Sequence, residues 1–564
     1  MKHVAAPVLL AIVLTTFSVG VRGQSGSSFD IVEATIADLQ RALDAGRVTS
    51  RQLVQLYVDR INRYNARINA VAYLSRTALN EADALDRERS AGQLRGPLHG
   101  IPIAVKDIIN TRDMPTTGGA VAFEGIVPPY NAPVVENLRR AGAIILAKTT
   151  LTELANWVTV GMPANYSGLF GFSMNPYDPR TDPRADFNDG RPVMSTGGSS
   201  SGTGTTLSFW AGSVGTETSG SILSPSNQNM LVGIKPTVGL ISRYGIIPIT
   251  GDQDTAGPMT RTVEGAAIML SAMVGRDAND PATSTCSLPP GNDYTRYLRS
   301  AGLRGARIGI PRANFYTATI RPDTGASVGG LTAQQLAVIE QAIDVLKREG
   351  ATVLDPADIP SIVDGTPANN FLTWGICSGL ANRKGMDANC STVFKYGMKR
   401  DFNAYLASLG PAPFTTLTQV REYNLANRPR NAIRYEQENL DISDEMDLVA
   451  DRSRYEADRA KDIFLSRTHG IDEVMARMQL DALLFPGSSG AAIAAKANEP
   501  TVIVPFGFVP NAPAGLPAGF NPQDQPYGVS FTGTLCSEGR LLELAYAFEQ
   551  ATRRRVPPPT PPTP

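Results

Sequence analysis

The stretch from Val214 to Pro225 reads VGTETSGSILSP and joins the end of a predicted strand to a turn rich in hydroxyl groups. Its twelve residues include one glutamate, five serine or threonine side chains and two glycines. A serine in such a turn acts as a nucleophile only if a base within hydrogen-bond reach removes its proton. The first question is therefore which residue of this chain supplies that base.

Histidine, the usual base for a serine nucleophile, is scarce in this sequence. The chain has three histidines, and the first of them, His3, falls in a predicted signal sequence. Because no H-E-x-x-H motif is present, we expect no multi-histidine metal site. Hydrolytic chemistry must use His99, His469 or a base of another type.

Length and composition limit the classes of function. At 564 residues the chain exceeds the usual size of a single-core domain, which predicts either two domains or one unusually large sheet. Hydrophobic residues make up 42% and charged residues 19% of the chain, and the formal net charge is −1. This balance gives no electrostatic reason to expect nucleic acid or an anionic membrane as the partner, and it favours a small, weakly charged substrate.

The N-terminus is typical of a secretory signal peptide over residues 1–23. Lys2 precedes an apolar run from Val4 to Val19, and small residues follow in SVGVRGQSGSS. We expect cleavage between Gly20 and Gln24 and a secreted protein, extracellular or periplasmic, with no membrane partner after cleavage. The alternative is an uncleaved membrane anchor, but the run is short and contains proline and several hydroxyl residues.

Four widely spaced cysteines lack the C-x-x-C pairs that metal sites favour; they are Cys286, Cys377, Cys390 and Cys536. In an exported protein they predict disulfides, for which three pairings are open. Cys377 and Cys390 are the nearest candidates for a bond.

Helical and strand-like segments alternate along the chain. The run GIPIAV is typical of a buried strand that delivers Lys106 and Asp107 at its end, and a helix ending in LRRAG leads into a second such run, AIILAK. This alternation predicts an α/β protein with a largely parallel sheet. Residues 411–477 predict a helical insertion beside the sheet, and VPPPTPPTP over 556–564 predicts a disordered Pro-rich tail.

The stretch STGGSSSGTGTT, residues 195–206, has three interpretations. Gly197 and Gly202 have the spacing of a phosphate-binding loop, but Thr203 stands where the lysine belongs. The residues GSSSG also fit a nucleophile elbow with Ser200 as nucleophile and His469 downstream as its base. The third interpretation is a flexible turn, for which this composition is common.

Several dispersed motifs occur together in one order. They are HGIPIAVKDIINT from residue 99, STGGSSSGTGTT from 195, VGTETSGSILSPSNQNMLVGIKPTVGLISRYG from 214, DQDTAGPMTR from 252, LDALLFPGSSG from 480 and EGRLLELAYAFEQATRRRVPP from 538. Together they resemble the amidase signature family over most of the chain after the signal. The resemblance implies a single α/β/α sandwich around a large twisted mixed sheet over residues 30–555, with no metal or organic cofactor.

The resemblance also implies a Ser-cisSer-Lys triad. The nucleophile corresponds to Ser221, the bridging serine to Ser199 after a cis peptide bond from Gly198, and the base to Lys106. The oxyanion would bind backbone N–H groups of Thr218, Ser219 and Gly220, with Ser221 as a further donor. Ser199 and Ser221 lie slightly closer together in the sequence than the corresponding serines usually do in the family. Ser200 is therefore an alternative to Ser199 as the bridging serine.

A lysine can serve as the base only in its neutral form. Burial lowers the pKa of a lysine and a nearby carboxylate raises it, so we expect Lys106 to face an apolar pocket free of carboxylates. Because a strand alternates its faces, Asp107 should point away from Lys106.

We therefore predict a secreted amidase that hydrolyses a carboxamide of a small molecule or peptide. Glu217, and Leu223 where many members of the family have an arginine, resemble the branch that includes peptide amidases, in which a serine such as Ser219 often precedes the glycine. Three alternatives are a Ser200–His469 esterase, the glutamine-hydrolysing subunit of a tRNA amidotransferase, and a catalytically silent secreted binding protein. A signal peptide argues against the second of these.

Overall fold

The computed structural model describes Met1, residues 29–198, Ser200 and residues 202–559. The chain divides into two units, Met1–Asp30 and Ile31–Pro564. Only Met1, Phe29 and Asp30 are described in the first unit, so the predicted signal peptide over 1–23 lies, apart from Met1, outside the described residues.

Strands of the second unit form one large sheet and three small ones within its described residues. The large sheet has eleven strands in the order β1-β3-β2-β6-β8-β7-β16-β17-β15-β9-β12. The strands are β1 Val71–Leu74, β2 Pro102–Lys106, β3 Ile144–Thr149, β4 Tyr166–Ser167, β5 Gly171–Phe172, β6 Gly212–Glu217, β7 Val232–Lys235, β8 Thr255–Thr260, β9 Arg307–Gly309, β10 Thr319–Ile320, β11 Ser327–Val328, β12 Thr352–Leu354, β13 Gly375–Ile376, β14 Cys390–Ser391, β15 Ala482–Pro486, β16 Thr501–Val509 and β17 Gln525–Thr532.

The direction of the strands differs from the largely parallel sheet that the alternating pattern predicts. Strand β2 is parallel to β3 and to β6, and β9 is parallel to β12 and to β15. The other neighbouring pairs in this sheet are antiparallel. The sheet is mixed, as the family resemblance implies, because each neighbouring pair in the order β6-β8-β7-β16 is antiparallel at its centre. Short runs of buried residues do not distinguish the two arrangements.

Helices cover this sheet and form the predicted insertion. They are α1 Ile36–Asp44, α2 Ser50–Ile68, α3 Ala78–Ser90, α4 Pro133–Arg140, α5 Thr203–Thr206, α6 Leu223–Gln228, α7 Val263–Met273, α8 Ala333–Arg348, α9 Pro360–Val363, α10 Val393–Ser408, α11 Leu417–Ala426, α12 Glu438–Asp444, α13 Arg452–Ile463, α14 Asp472–Met478, α15 Ala491–Lys496 and α16 Glu538–Thr552. A π-helical segment, Phe464–Ile471, joins α13 to α14. Over the residues that are described, none of these helices is long and apolar enough to span a bilayer.

The central strands are buried on both faces. Every residue of β2, β3, β6 and β8 is buried, which explains why these strands read as continuous apolar or small-residue runs. Helix α7 packs against β8, α6 packs against β16 and β17, and α16 packs against the same two strands. The α/β architecture predicted from the sequence is confirmed, and its central strands end where the candidate site lies.

Two disulfides close the chain, Cys286–Cys536 and Cys377–Cys390. The second is the bond expected from proximity in sequence, and the pair of bonds selects one of the three pairings that the sequence left open. Of the predicted Pro-rich tail, residues 556–559 are described, and the Tyr177 hydroxyl donates a hydrogen bond of 2.6 Å to the Val556 carbonyl.

Candidate active site

The site is built around Lys106, the last residue of β2. Strand β2 is parallel to its neighbour β6, with Val105 opposite Val214, so the two strands end at the same edge of the sheet. The Lys106 side chain is fully buried, and its Nζ donates a hydrogen bond of 2.9 Å to Oγ1 of Thr216 on β6. This geometry places the lysine beside the turn that follows β6.

The charge state of Lys106 follows from its burial. Desolvation lowers the pKa of this lysine to about 7, although the carboxylates of Asp254 and Glu217 oppose the shift. The predicted pocket free of carboxylates is therefore wrong, since two acidic residues act on the ammonium group. Burial outweighs both, and a substantial fraction of Lys106 is neutral at pH 7.

Asp107, the next residue, belongs to a different environment. Its carboxylate lies 3.4 Å from Lys148 Nζ and accepts a hydrogen bond from the Thr117 hydroxyl. Burial raises the pKa of Asp107 against the opposing effect of Lys148. As the alternation of a strand predicts, Asp107 is directed to other partners than its neighbour Lys106.

The turn after β6 is fixed by hydrogen bonds to the side chain of Glu217, the last residue of that strand. The Glu217 carboxylate is buried and accepts hydrogen bonds from the backbone N–H groups of Ile222 and Leu223, at 2.8 and 2.9 Å. These bonds satisfy donors at the start of α6 and fold the chain back after the turn. The two N–H groups lie at the residues directly after Ser221, so Glu217 fixes where that serine stands.

The residues of the turn itself face outward. Ser219 is exposed, Ser221 is partly exposed, and Gly220 has a φ of +130°, which a residue with a side chain rarely adopts. Over the described residues, the N–H groups of Ser219 and Ser221 donate no hydrogen bond to a protein acceptor. The backbone thus has donors available at this surface, which is the arrangement that an oxyanion site requires.

The described residues of the glycine-rich segment 195–202 pack directly on this turn. The Ser200 N–H donates to the Ser221 carbonyl at 3.2 Å, and a Cβ placed on Gly198 would lie 2.8 Å from Cα of Ser221. Gly197 has a φ of +98° and lies so close to Pro225 that a Cβ there would be 2.4 Å from its Cα. The residues on either side of Ser199 therefore contact Ser221.

Ser199 lies outside the described residues, and so does the predicted cis peptide bond that would join it to Gly198. Both assignments stay predictions. The described part of the segment is anchored by Asn165, whose buried amide donates to the Gly198 carbonyl at 3.0 Å.

The structure does not bring Ser200 and His469 together. The Ser200 hydroxyl donates to the Thr216 carbonyl and accepts from the Thr216 N–H, at 3.0 and 3.1 Å. The two ring nitrogens of His469 lie 2.8 Å from Glu473 and 3.1 Å from Asp364. The nucleophile elbow interpretation of the glycine-rich segment therefore lacks its base.

A cavity of about 350 Å³ opens beside the end of β6. Its wall includes Thr216, Thr218, Asp254, Ala155 and Tyr405. Thr216 and Thr218 flank Glu217, so the cavity borders both the lysine partner and the turn. Searched over its described residues, the chain has no group of three or more His, Cys, Asp and Glu side chains arranged to hold a metal ion.

The fold and this site define an amide-hydrolysing enzyme, as comparison with known proteins shows. A family model described as Amidase matches residues 52–542. A protein of Arabidopsis thaliana named as a probable amidase is 34% identical over 545 residues, covering 94% of this chain and 92% of that protein. The chain therefore belongs to the amidase family.

Solved structures agree with this assignment. The native peptide amidase of Stenotrophomonas maltophilia is 36% identical and superposes with a TM-score of 0.77, covering 94% of this chain and 99% of that one. A peptide amidase in complex with the competitive inhibitor chymostatin gives 36% identity and a TM-score of 0.78, covering 94% and 100%.

Some residues of the site escaped prediction from the sequence. Thr216 and Asp254 contact or act on Lys106, and Asn165 contacts Gly198, the residue before Ser199; none of the three was predicted. Asn165 is distant from Lys106 and Ser221 along the chain and lies in none of the ordered motifs. Thr216 and Asp254 had a signal, because they lie in the motifs VGTETSGSILSP and DQDTAGPMTR.

The close approach of Gly198 to Ser221 generates a prediction. Changing Gly198 to Ala places a Cβ at 2.8 Å from Cα of Ser221, so the two segments must move apart. We expect amidase activity to fall by about 100-fold, since displacement of a reacting group by about 1 Å has this effect. Gly365→Ala is the matched control because a Cβ at Gly365 meets no atom within 4 Å. Equal activity of the two variants in an ammonia-release assay would contradict the prediction.

Proposed function

We propose that this protein hydrolyses a carboxamide through an acyl-enzyme on Ser221, with Ser199 and neutral Lys106 moving the proton. The Ser221 hydroxyl oxygen attacks the amide carbonyl while its proton passes through Ser199 to Lys106. Backbone N–H groups of Thr218, Ser219 and Gly220, with that of Ser221 as a further donor, bind the negative oxygen of the tetrahedral intermediate; those of Ser219 and Ser221 donate to no acceptor among the described residues. One such donor contributes about 3 kcal/mol to lowering the barrier.

The intermediate then expels the amine. Lys106 returns the proton through Ser199 to the nitrogen of the leaving group, the C–N bond breaks, and ammonia or an amine departs. Water attacks the acyl-enzyme with the same residues in reverse roles, and the carboxylic acid is released. The cycle uses each residue as acid and as base in turn, so it ends with the enzyme in its starting state.

The observation that carries this proposal is the buried Lys106 at the end of β2, beside the turn that presents Ser221. A lysine with a pKa of about 7 is a base at neutral pH, whereas an exposed lysine is almost wholly protonated. The proposal needs no histidine, and the two histidines of the described chain lie in other surroundings: His99 is buried against the Leu85 carbonyl and His469 pairs with carboxylates.

The proposed substrate is a small-molecule or peptide amide. The similar peptide amidase is inhibited competitively by chymostatin, and the turn bearing Ser221 in this chain is open to solvent at Ser219. A partly open site accommodates a substrate that extends beyond the scissile amide. The C-terminal amide of a peptide fits this description.

We also propose that the enzyme is exported and acts outside the cytoplasm. The n-, h- and c-regions over residues 1–23 support this, and the two disulfides are compatible with an oxidising compartment.

Three substitutions test the proposed triad. Ser221→Ala, Lys106→Ala and Ser199→Ala should each lower kcat by at least about 1000-fold, because members of a catalytic unit act together. Ammonia release is measured with aliphatic, aromatic and peptide amides. His469→Ala is the control and should retain wild-type activity. Full activity of Lys106→Ala with loss in His469→Ala would replace the proposal by the esterase-type alternative.

The pH dependence of kcat/KM tests the neutral lysine. Protonated Lys106 cannot accept a proton, and its pKa is lowered to about 7, so activity should rise tenfold per pH unit below 7 and level off above it. The His469→Ala variant should give the same profile, which separates the lysine from the histidine as the titrating group. A flat profile between pH 5 and 9 would be incompatible with this base.

Export predicts a processed N-terminus. The full-length gene product, expressed with its signal in a secreting host, should appear in the exported fraction with an N-terminal residue between Val21 and Gln24. Intact mass and N-terminal sequencing measure this directly. Retention of Met1 and residues 2–20 in a cytoplasmic or membrane fraction would contradict export.

A further inference from the structure

One carboxylate connects the predicted oxyanion turn to the wall of the cavity. Asp254 Oδ1 accepts a hydrogen bond of 2.6 Å from the Thr218 hydroxyl. Its Oδ2 accepts from the backbone N–H groups of Ile249 and Thr250, at 2.9 and 3.0 Å. Asp254 thus joins the first residue of the turn to the loop before β8.

The same loop holds Thr218 at a second point. The Gln253 side-chain amide donates a hydrogen bond of 3.0 Å to the Thr218 carbonyl. Glu217 pairs with Thr255 in the ladder between β6 and β8. The residue before Thr218 and the residue after Asp254 are therefore also held together. Thr218 is therefore fixed by its hydroxyl, its carbonyl and the preceding strand pair, and Asp254 supplies the charged member of these contacts.

Asp254 also shares a cavity wall with Thr216, the hydrogen-bond partner of the lysine. Its carboxylate is one of the two whose charge acts on Lys106, and Thr216, which accepts the Lys106 hydrogen bond, lines the same cavity as Asp254 and Thr218. One side chain therefore acts on both parts of the proposed machinery, the base and the oxyanion turn.

The charges around Asp254 leave it without a dominant cation. Burial raises the pKa of Asp254 to about 7, although the hydrogen bonds from Thr218 and Ile249 lower it. The charge of Asp401 raises this pKa further, and the charge of Arg243 lowers it. Arg243 is itself engaged by Asp280 through its Nε and a second nitrogen. On the side of Lys106, Glu217 is the other acidic group, and it is committed to the start of α6.

We propose that Asp254 is a positioning residue for the amidase reaction: it fixes the oxyanion turn through Thr218, and its carboxylate, in the same cavity wall as the Thr216 partner of Lys106, acts on that base. This inference rests on the proposed function of Lys106 and Ser221. The charge of Asp254 raises the pKa of Lys106, so removal of that charge makes the lysine lose its proton at lower pH.

Asp254→Asn separates charge from shape. The amide oxygen can accept from the N–H groups of Ile249 and Thr250 while the amide nitrogen donates to the Thr218 hydroxyl, so the links survive and the charge is lost. We expect the acidic limb of kcat/KM to move to lower pH by about one unit. The control is Asp252→Asn in the same loop, where the carboxylate contacts Arg400 and Tyr455, and its profile should coincide with the wild type.

Thr218 tests the positioning part separately. Thr218→Val removes the hydroxyl that bonds to Asp254, and we expect kcat to fall roughly 10-fold with little change in KM, because only the transition state uses the turn. Thr218→Ser keeps the hydroxyl and should restore most of the activity. Thr255→Val is the matched control, since that hydroxyl bonds to the Ala256 carbonyl instead.

A readout independent of amide turnover separates this inference from the proposed function. The rate at which phenylmethanesulfonyl fluoride modifies Ser221 is followed by intact mass from pH 5 to 9, with Ser221→Ala as the blank. The inference is supported if the modification rate of the wild type falls at acidic pH and this fall moves to lower pH in Asp254→Asn, even if no tested amide is a substrate. The same pH dependence of the modification rate in the wild type and in Asp254→Asn overturns the inference about Asp254 but leaves the proposed triad unaffected. Modification that persists in Ser221→Ala, or none in the wild type, overturns both.

Discussion

The burial of a lysine ammonium at the end of a central strand is the constraint on which the site depends. Removing that charge from water is costly, and the group responds by losing its proton more readily. Strand β2 is buried along its whole length, and this burial of Lys106 is the main cause of its lowered pKa. The fold thereby gives a common residue the lowered pKa that the proposed base requires.

Carboxylates limit how far this effect goes. Glu217 and Asp254 both oppose the loss of the proton from Lys106, yet each is needed for shape: Glu217 holds the start of α6 and Asp254 holds Thr218. Burial raises the pKa of Glu217, and the charge of the buried Lys235 opposes this shift. In this site the two carboxylates raise the pKa of Lys106 and burial lowers it, and the effect of burial is the larger one.

Much of this arrangement could be predicted from sequence motifs. The run GIPIAVKD predicted a buried strand with Lys106 at its end, and β2 is that strand. The family resemblance placed Ser221 in a turn after a strand, where the structure has it. The largely parallel sheet and the pocket free of carboxylates were wrong for one reason: both depend on segments that approach from distant parts of the chain, and local patterns carry no information about strand direction or distant charges.

The sequence by itself determined the family, the central strands and the residues eligible for catalysis, because these follow from ordered motifs and from the burial pattern of consecutive residues. The tertiary structure alone decided which of them meet. It brought Gly198 and Ser200 against Ser221, engaged Ser200 with Thr216 and His469 with carboxylates, and joined Asp254 to Thr218 of the turn. Contact and charge depend on distance in space, and a parallel strand pair such as β2 and β6 joins residues that are far apart in sequence.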